Sequence, residues 1–183
     1  MISRVAAFLL LLIFSPVFII VGLLIFMEDG FPVFFKQKRV GKNYSFFQIY
    51  KFRSMKKSTP NVATHLLGDP AQYLLRIGKI IRKLSLDELP NLINIIKGDM
   101  VFVGPRPALY NQDDLMNLRV AAGVDKLKPG ITGWAQVNGR DEISIEEKVR
   151  FEKEYLERKN ILFDIQIIIK TFTSVLMSKN VSH

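Results

Sequence analysis

An uncharged apolar segment near the N-terminus constrains this chain more than any other feature. Residues 5–27, VAAFLLLLIFSPVFIIVGLLIFM, contain no charged side chain over twenty-three positions. A helix of that length measures about 34 Å, and the hydrocarbon core of a bilayer is about 30 Å thick. A cleavable signal peptide would have a shorter apolar region ending at small residues, whereas this one ends in IFMEDG. The sequence therefore predicts a membrane-bound protein with an N-terminal anchor.

Ser15 and Pro16 interrupt the middle of this anchor. Proline lacks a backbone N–H and its ring clashes with the preceding turn, so a helix bends or breaks there. Two topologies follow: a kinked helix that spans the bilayer, or a re-entrant helix-break-helix that enters one leaflet and returns. From the residues alone, the length of the apolar run favours the spanning form. The chain beyond the anchor is predicted to be cytoplasmic from its basic residues Lys36, Lys38, Arg39 and Lys42.

The charge composition indicates anionic partners. The chain has 26 Lys and Arg against 17 Asp and Glu, which leaves a formal net charge of +9. Such an excess attracts phosphates, nucleic acid or an acidic membrane surface, and charge alone does not choose among them. The absence of cysteine excludes disulfides, thiolate metal sites and a cysteine nucleophile. A non-enzymatic basic module that binds anionic lipid or nucleic acid therefore stands as an alternative to an enzyme.

The chain after the anchor predicts a compact, mostly helical α/β domain with a small sheet. Aromatic and β-branched runs around VGKN in residues 31–54 predict a β-hairpin with basic arms. Asp69 and Pro70 predict the start of an amphipathic basic helix that continues to about residue 84 and can lie on the membrane interface. Residues 112–120 predict a further helix.

Turn and capping residues predict the last elements. The Asn138-Gly139 pair predicts a hairpin turn. Ser144 has the capping spacing for a charged helix that runs to about Lys159. Asp164 is expected to cap the final apolar helix, which must bury most of its surface in the core, a partner or the membrane interface.

The stretch LSLDELP at residues 84–90 places two carboxylates side by side. Ser85 and Glu88 have the spacing of a capping box, so one interpretation is simply the start of a helix that ends at Gly98. The same position suits chemistry, because a helix N-terminus lowers the pKa of a carboxylate and attracts phosphate. An ionised Asp87 can attack phosphorus if nearby cations cancel the repulsion between two anions.

Several basic residues are candidates to supply those cations. Arg82 is close in sequence, and Arg106 is held between two prolines in a turn. Lys51, Arg53 and Arg140 are further candidates, since ammonium and guanidinium groups both bind phosphate oxygens. Lys51 and Arg53 alternate along a predicted strand and should share a face. Capping and catalysis both remain open on this evidence.

Three motifs together resemble one known family. KFRSM, LSLDELPNLINIIKGDMVFVGPRP and KPGITGWAQVNGR follow, in this order, an apolar segment with Ser-Pro at its centre. The combination resembles the bacterial sugar transferase family of monotopic phosphoglycosyl transferases, from the Ser-Pro region to about residue 175. The resemblance implies transfer of a phospho-sugar from a UDP-sugar, by preference N-acetylated, to undecaprenyl phosphate with release of UMP. That reaction is the first membrane step of glycoconjugate assembly.

The resemblance also implies a location and an architecture. The enzyme is expected at the bacterial inner membrane, with its catalytic domain on the cytoplasmic face and with lipid and nucleotide sugar, not nucleic acid, as partners. The anchor is expected to be re-entrant and broken at Ser15 and Pro16, in place of the spanning form. Residues 1–29 would form the membrane helix and residues 30–183 the catalytic domain.

Individual roles follow from the same resemblance. Asp87 is expected to be the nucleophile, and a Mg²⁺ ion is expected at Asp87 and Glu88. Glu88 would either bind this ion or activate the acceptor, and the sequence does not choose between the two roles. Arg82 and Arg106 are expected to hold phosphate. A membrane phosphohydrolase, which would use the same Asp87 and pass the phosphoryl group to water, is a second alternative.

The ITGWAQVNGR segment is a candidate to close the nucleotide site. Trp134 can stack on uracil, while Gln136 and Arg140 can hydrogen-bond to the base or to the diphosphate. The alternative is a packed loop with no ligand contact. Asp99, which follows the helix-ending Gly98, is expected to be a turn residue and not a metal ligand.

Overall fold

The structure of the chain is a computed structural model that describes residues 2–60, 68–139 and 143–177, with side chains up to residue 174. Arg140, which the sequence analysis placed at the nucleotide site, lies outside the described residues. The prediction for that residue therefore stays a prediction.

Two helices joined at a sharp bend form the N-terminal part of the fold. α1 covers Ile2–Ile13 and α2 covers Ser15–Asp29, and the two axes are bent by 61°. Pro16 lies in the first turn of α2, where a missing N–H breaks no helical hydrogen bond. The predicted break is therefore confirmed. Among the described helices none is long and apolar enough to cross a bilayer alone, and by length and composition only the bent pair is a candidate.

An antiparallel hairpin follows the bent pair, as predicted. β1 covers Phe34–Val40 and β2 covers Phe46–Phe52. The register pairs Phe35 with Lys51, and side chains at alternate positions of a strand share a face. Arg39 therefore lies on the same face of the hairpin as Lys51.

The basic helix predicted to start after Asp69 is interrupted. Asp69 does cap a turn, since its carboxylate accepts a hydrogen bond from the Ala71 N–H at 3.0 Å, but that turn is a single 3₁₀ turn over Pro70–Tyr73. The chain is then extended, and the Leu75 N–H donates to the Ser54 carbonyl at 3.0 Å. This tertiary bond outweighs local helix propensity, so α3 covers only Arg76–Lys83.

The second half of the chain is mostly helical, which confirms the predicted class. The elements in order are α4 (Asn91–Lys97), β3 (Val101–Val103), α5 (Asp113–Ala121), β4 (Gly130–Thr132), α6 (Trp134–Asn138), α7 (Ile145–Arg158) and α8 (Ile161–Met177). β3 and β4 pair in parallel. The helix predicted over residues 112–120 is present as α5. The hairpin turn predicted at Asn138-Gly139 is wrong, because those residues end the short helix α6.

Of the two helix caps predicted in the C-terminal part of the chain, one is present and one is not. Ser144 caps α7 as predicted, accepting a hydrogen bond from the Glu147 N–H at 3.2 Å. Asp164 does not cap α8. The Asn160 side-chain oxygen accepts from the Phe163 N–H at 2.9 Å instead, one turn earlier.

Two core clusters join the N-terminal helices to the rest of the fold. The first cluster is formed where α4 packs against α1 and β2, and contains Ala7, Ile49, Leu92, Ile95 and Met100. The second is formed where α2 packs against α3 and the end of β2, and contains Val21, Ile25, Phe52, Leu75 and Ile81. The link between α3 and α4 runs from the second cluster to the first. It carries the predicted pair of carboxylates.

Candidate active site

Asp87 and Glu88 lie on a single 3₁₀ turn, Leu86–Glu88, between α3 and α4. The leucines on either side of the pair pack on the second core cluster, and both carboxylates remain partly exposed. The predicted capping box is wrong. Ser85 adopts a left-handed conformation with φ 55° and makes no capping bond, and α4 begins only at Asn91.

Two cations from distant parts of the sequence contact Glu88. The Nζ atom of Lys51, near the end of β2, lies 2.6 Å from Oε1 of Glu88. The Nη1 atom of Arg106 lies 3.6 Å from the same oxygen. The Lys51 side chain is 19% exposed, whereas that of Arg106 is 44% exposed. Arg106 therefore touches the carboxylate while keeping much of its guanidinium open to a ligand.

The pKa of Asp87 is raised above its ordinary value of 3.8. Burial is the largest cause; the charge of Lys51 lowers the pKa, the charge of Glu88 raises it and that of Arg82 lowers it. The prediction that a helix N-terminus would depress this pKa is therefore wrong. The nearby cations offset part of the cost of burying the charge but do not reverse it.

Arg53 does not contact the two carboxylates but binds the end of α2. It is only 6% exposed, its guanidinium pairs with the Asp29 carboxylate, and it donates to the carbonyls of Pro32 and Gly30 at 2.6 and 2.7 Å. Arg53 lies just beyond the last residue of β2 and pairs with Asp29, whereas Lys51 pairs with Glu88. Arg53 fixes the end of α2.

Trp134 and Gln136 lie on the short helix α6, where both make packing contacts. The Trp134 ring lies 4.9 Å from the Phe163 ring centre, and its indole N–H donates to Glu154 at 2.8 Å. The Gln136 amide donates to the Ile131 carbonyl at 3.1 Å. These contacts join α6 to α7, α8 and β4, and they leave a role at the nucleotide without structural support.

Asn94 is a site-forming residue that the sequence analysis missed. It is fully buried; its amide donates to the Gln48 carbonyl at 2.7 Å and its side-chain oxygen accepts from the Tyr50 N–H at 3.0 Å. The side chain thus binds α4 to the edge of β2 directly before Lys51. A polar residue among the apolar neighbours of this helix was the available signal, since buried amides are normally hydrogen-bonded.

A magnesium ion fits the pair only with help from a ligand. The described residues contain no cluster of three or more histidine or acidic side chains suited to a metal. Mg²⁺ commonly uses one or two carboxylates and completes its shell with water and substrate phosphates. Asp87 and Glu88 match that mode, although one Glu88 oxygen already faces Lys51 and Arg106.

The chain is similar to known proteins over nearly its whole length. The family model described as bacterial sugar transferase matches residues 1–178. The uncharacterized sugar transferase EpsL of Bacillus subtilis is 40% identical over 96% of this chain and 86% of its own length. The UDP-glucose:undecaprenyl-phosphate glucose-1-phosphate transferase of Caulobacter vibrioides is 35% identical over 96% of this chain and 68% of its own length.

A relative with another named sugar shows the same level of similarity. The UDP-N-acetylgalactosamine-undecaprenyl-phosphate N-acetylgalactosaminephosphotransferase of Aeromonas hydrophila is 36% identical over 93% of this chain and 42% of its own length. Together, the family model and these relatives assign an enzyme family, which a non-enzymatic basic module would not match. The chain belongs to the bacterial sugar transferase family.

Proposed function

We propose that this protein transfers a phospho-sugar from a UDP-sugar to undecaprenyl phosphate and releases UMP. The observation that carries the proposal is the geometry at residues 87 and 88: a half-buried aspartate beside a glutamate that is bound by Lys51 and by the partly exposed Arg106. With Arg82 nearby, three cations surround two carboxylates. The excess of positive charge suits a diphosphate.

The proposed reaction has two displacement steps. A carboxylate oxygen of Asp87 attacks the phosphorus that bears the sugar, the bond to the bridging oxygen breaks, and UMP leaves. An oxygen of the polyprenyl phosphate then attacks the same phosphorus, which releases Asp87 and yields the lipid-linked diphosphate sugar. Arg106 and Arg82 would hold phosphate oxygens, and a bound Mg²⁺ would stabilise charge on the leaving group.

The acceptor lipid requires a site at the membrane, and the N-terminal helices suit one. Twelve large apolar side chains of α1 and α2 are at least 41% exposed; they are Ile2, Val5, Phe8, Leu9, Leu12, Ile13, Ile19, Ile20, Leu23, Leu24, Phe26 and Met27. A surface of this size is unfavourable in water, so we place it in the bilayer. The protein would then act at the bacterial inner membrane.

A re-entrant topology is supported by the contacts at both ends of the bent pair. Near the start of α1, Arg4 lies against Gly98, so close that a Cβ there would lie 2.0 Å from the guanidinium Nη2 atom. At the end of α2, the Glu28 carboxylate accepts hydrogen bonds from the Arg76 and Ile77 N–H groups at 2.6 and 3.0 Å. Both ends contact the same domain and should lie on one side of the membrane.

The sugar is proposed by resemblance only. The relatives are named for glucose and for N-acetylgalactosamine, so the family accommodates both a plain and an N-acetylated hexose. We keep an N-acetylated sugar as the first substrate to test. A panel of UDP-sugars decides this point directly.

The test mixes purified protein, Mg²⁺, each UDP-sugar and undecaprenyl phosphate, and measures UMP. Multiple turnovers of UMP release that depend on the lipid support the transferase. Without lipid the transferase releases at most one UMP per enzyme, whereas repeated turnover without lipid indicates the phosphohydrolase alternative. Without lipid, a UDP-sugar labelled on the sugar should leave label on the wild-type protein but not on Asp87→Asn. The exposed Asp114→Asn is the matched control and should be labelled normally. Full turnover by Asp87→Asn would rule out Asp87 as the nucleophile.

A further inference from the structure

The turn that carries Arg106 is held through all of its carbonyl groups. Each of the three successive carbonyls at residues 105–107 accepts a hydrogen bond from a different element. The donors are the Gly130 N–H to Pro105 at 2.9 Å, Nη2 of Arg119 to Arg106 at 2.9 Å, and Nη1 of Arg39 to Pro107 at 3.1 Å. Two of these donors are guanidinium groups, which make stronger hydrogen bonds than neutral donors.

Arg119 is itself immobilised by a buried ion pair. Its Nε and Nη2 atoms donate to the two carboxylate oxygens of Glu152 at 2.8 and 2.5 Å, and the two residues are 5% and 2% exposed. This bidentate pair links α5 to α7. The Arg106 carbonyl is therefore bound to a rigid part of the fold and not to a mobile surface side chain.

Arg39 approaches the turn from β1. Its Nη2 atom donates to the Gln37 side chain at 2.6 Å, while its Nε atom is buried and, within the described part of the chain, has no hydrogen-bond partner. Burial lowers the pKa of Arg39 to about 10; the charge of Arg106 lowers it as well, and that of Glu88 raises it. Arg39 stays charged at neutral pH, so its bond to the Pro107 carbonyl is a charged hydrogen bond.

We infer that Arg39 and Arg119 are positioning residues, which hold the backbone of residues 106 and 107 so that the exposed Arg106 guanidinium stays beside Glu88 and open to the diphosphate. The inference rests on the proposed function for the identity of that ligand. It adds that the affinity of Arg106 for phosphate depends on two side chains that do not touch the ligand. Their effect should therefore disappear when the Arg106 guanidinium is absent.

The test is the affinity for UDP, measured by calorimetry in a double-mutant cycle. Arg106→Gln should weaken UDP binding by about tenfold or more, and Arg39→Gln by about tenfold, as expected for loss of one charged hydrogen bond. The double variant should bind UDP no more than about twofold more weakly than Arg106→Gln alone, because coupled residues are not additive. Arg150→Gln, which removes an exposed arginine of α7, should leave binding unchanged.

A merely structural role for Arg39 predicts different results. Equal UDP affinity in Arg39→Gln and wild type, or independent losses in the double variant, would overturn the inference. If Arg39→Gln does not fold, Gln37→Ala removes the support at 2.6 Å and should give a smaller loss that is again absent without Arg106. UDP binding does not require turnover, so a protein that shows this coupling but releases no UMP with the lipid would contradict the proposed function only.

Discussion

Lys51 interacts electrostatically with both carboxylates of the candidate site. Its Nζ atom lies 2.6 Å from Oε1 of Glu88, and its charge is the largest influence that lowers the pKa of Asp87 against the effect of burial. The proposed nucleophile must be ionised to attack phosphorus. The pH at which the enzyme loses activity should therefore depend on a lysine that need not contact the reacting atoms.

Lys51→Gln should move the acid limb of the pH profile upward. In the wild type, kcat/KM is expected to fall as the pH drops through the raised pKa of Asp87. Removal of Lys51 deletes a charge that lowers this pKa, so Asp87 becomes protonated at a higher pH than in the wild type. The measurement is kcat/KM for the UDP-sugar across the acid range. Lys153→Gln, which removes an exposed lysine of α7, is the control, and an acid limb that does not move contradicts the prediction.

Asp87→Asn should stabilise the fold at neutral pH while abolishing activity. Burial raises the pKa of Asp87 in the folded state, so the folded protein holds this proton more tightly than the unfolded chain. The ionised side chain therefore lowers the free energy of unfolding as the pH rises above the ordinary value of 3.8 and through the raised pKa. The asparagine variant should have a higher Tm than wild type at neutral pH, and the gap should close as the pH falls towards that ordinary value. An equal or lower Tm at neutral pH would show that Asp87 is not destabilising when ionised.

Breaking the pair between Arg119 and Glu152 should be among the costliest single changes in the chain. Both side chains are almost fully buried, so Arg119→Leu leaves an uncompensated carboxylate and should lower the free energy of unfolding by about 3–5 kcal/mol. The double variant with Glu152→Leu removes both charges and should recover part of that loss. Denaturant unfolding of the single and double variants in one detergent measures the difference. A double variant as unstable as the single one would show that packing, and not the unpaired charge, sets the cost.

Local sequence patterns predicted the elements that depend on local chemistry. The break at Pro16, the hairpin and the Ser144 cap follow from a missing N–H, strand alternation and a capping hydroxyl. The capping box at Ser85 has an equally good local pattern, yet Ser85 takes a left-handed conformation and makes no capping bond. The flanking leucines Leu86 and Leu89 pack on the second core cluster, a long-range requirement that a short window of sequence does not contain.

The same distinction applies to the candidate site. Asp87, Glu88 and Arg106 were recognisable because their motifs are compact in sequence. The roles of Arg39 and Arg119 were missed because each donates a hydrogen bond to a backbone carbonyl, 68 and 13 residues away along the chain. Every residue has a backbone carbonyl, so such a partner cannot be recognised from residue types. From sequence alone, a basic residue in a strand or an amphipathic helix is interpreted as a surface charge. Only the three-dimensional structure shows which turn lies beside it.

Cysteine labelling should place both ends of the bent helix pair on the cytoplasmic side. The chain has no cysteine, so Ser3→Cys and Asn43→Cys each introduce a single reactive thiol, and the wild type is the unlabelled control. Because Arg4 contacts the end of α4 and Glu28 caps α3, a membrane-impermeant maleimide should label both positions in inside-out vesicles and neither in intact spheroplasts. Labelling of position 3, but not of position 43, in intact spheroplasts would establish a spanning helix. That result would also require Arg4 to leave Gly98, because one domain cannot hold both ends of a helix pair that crosses the bilayer.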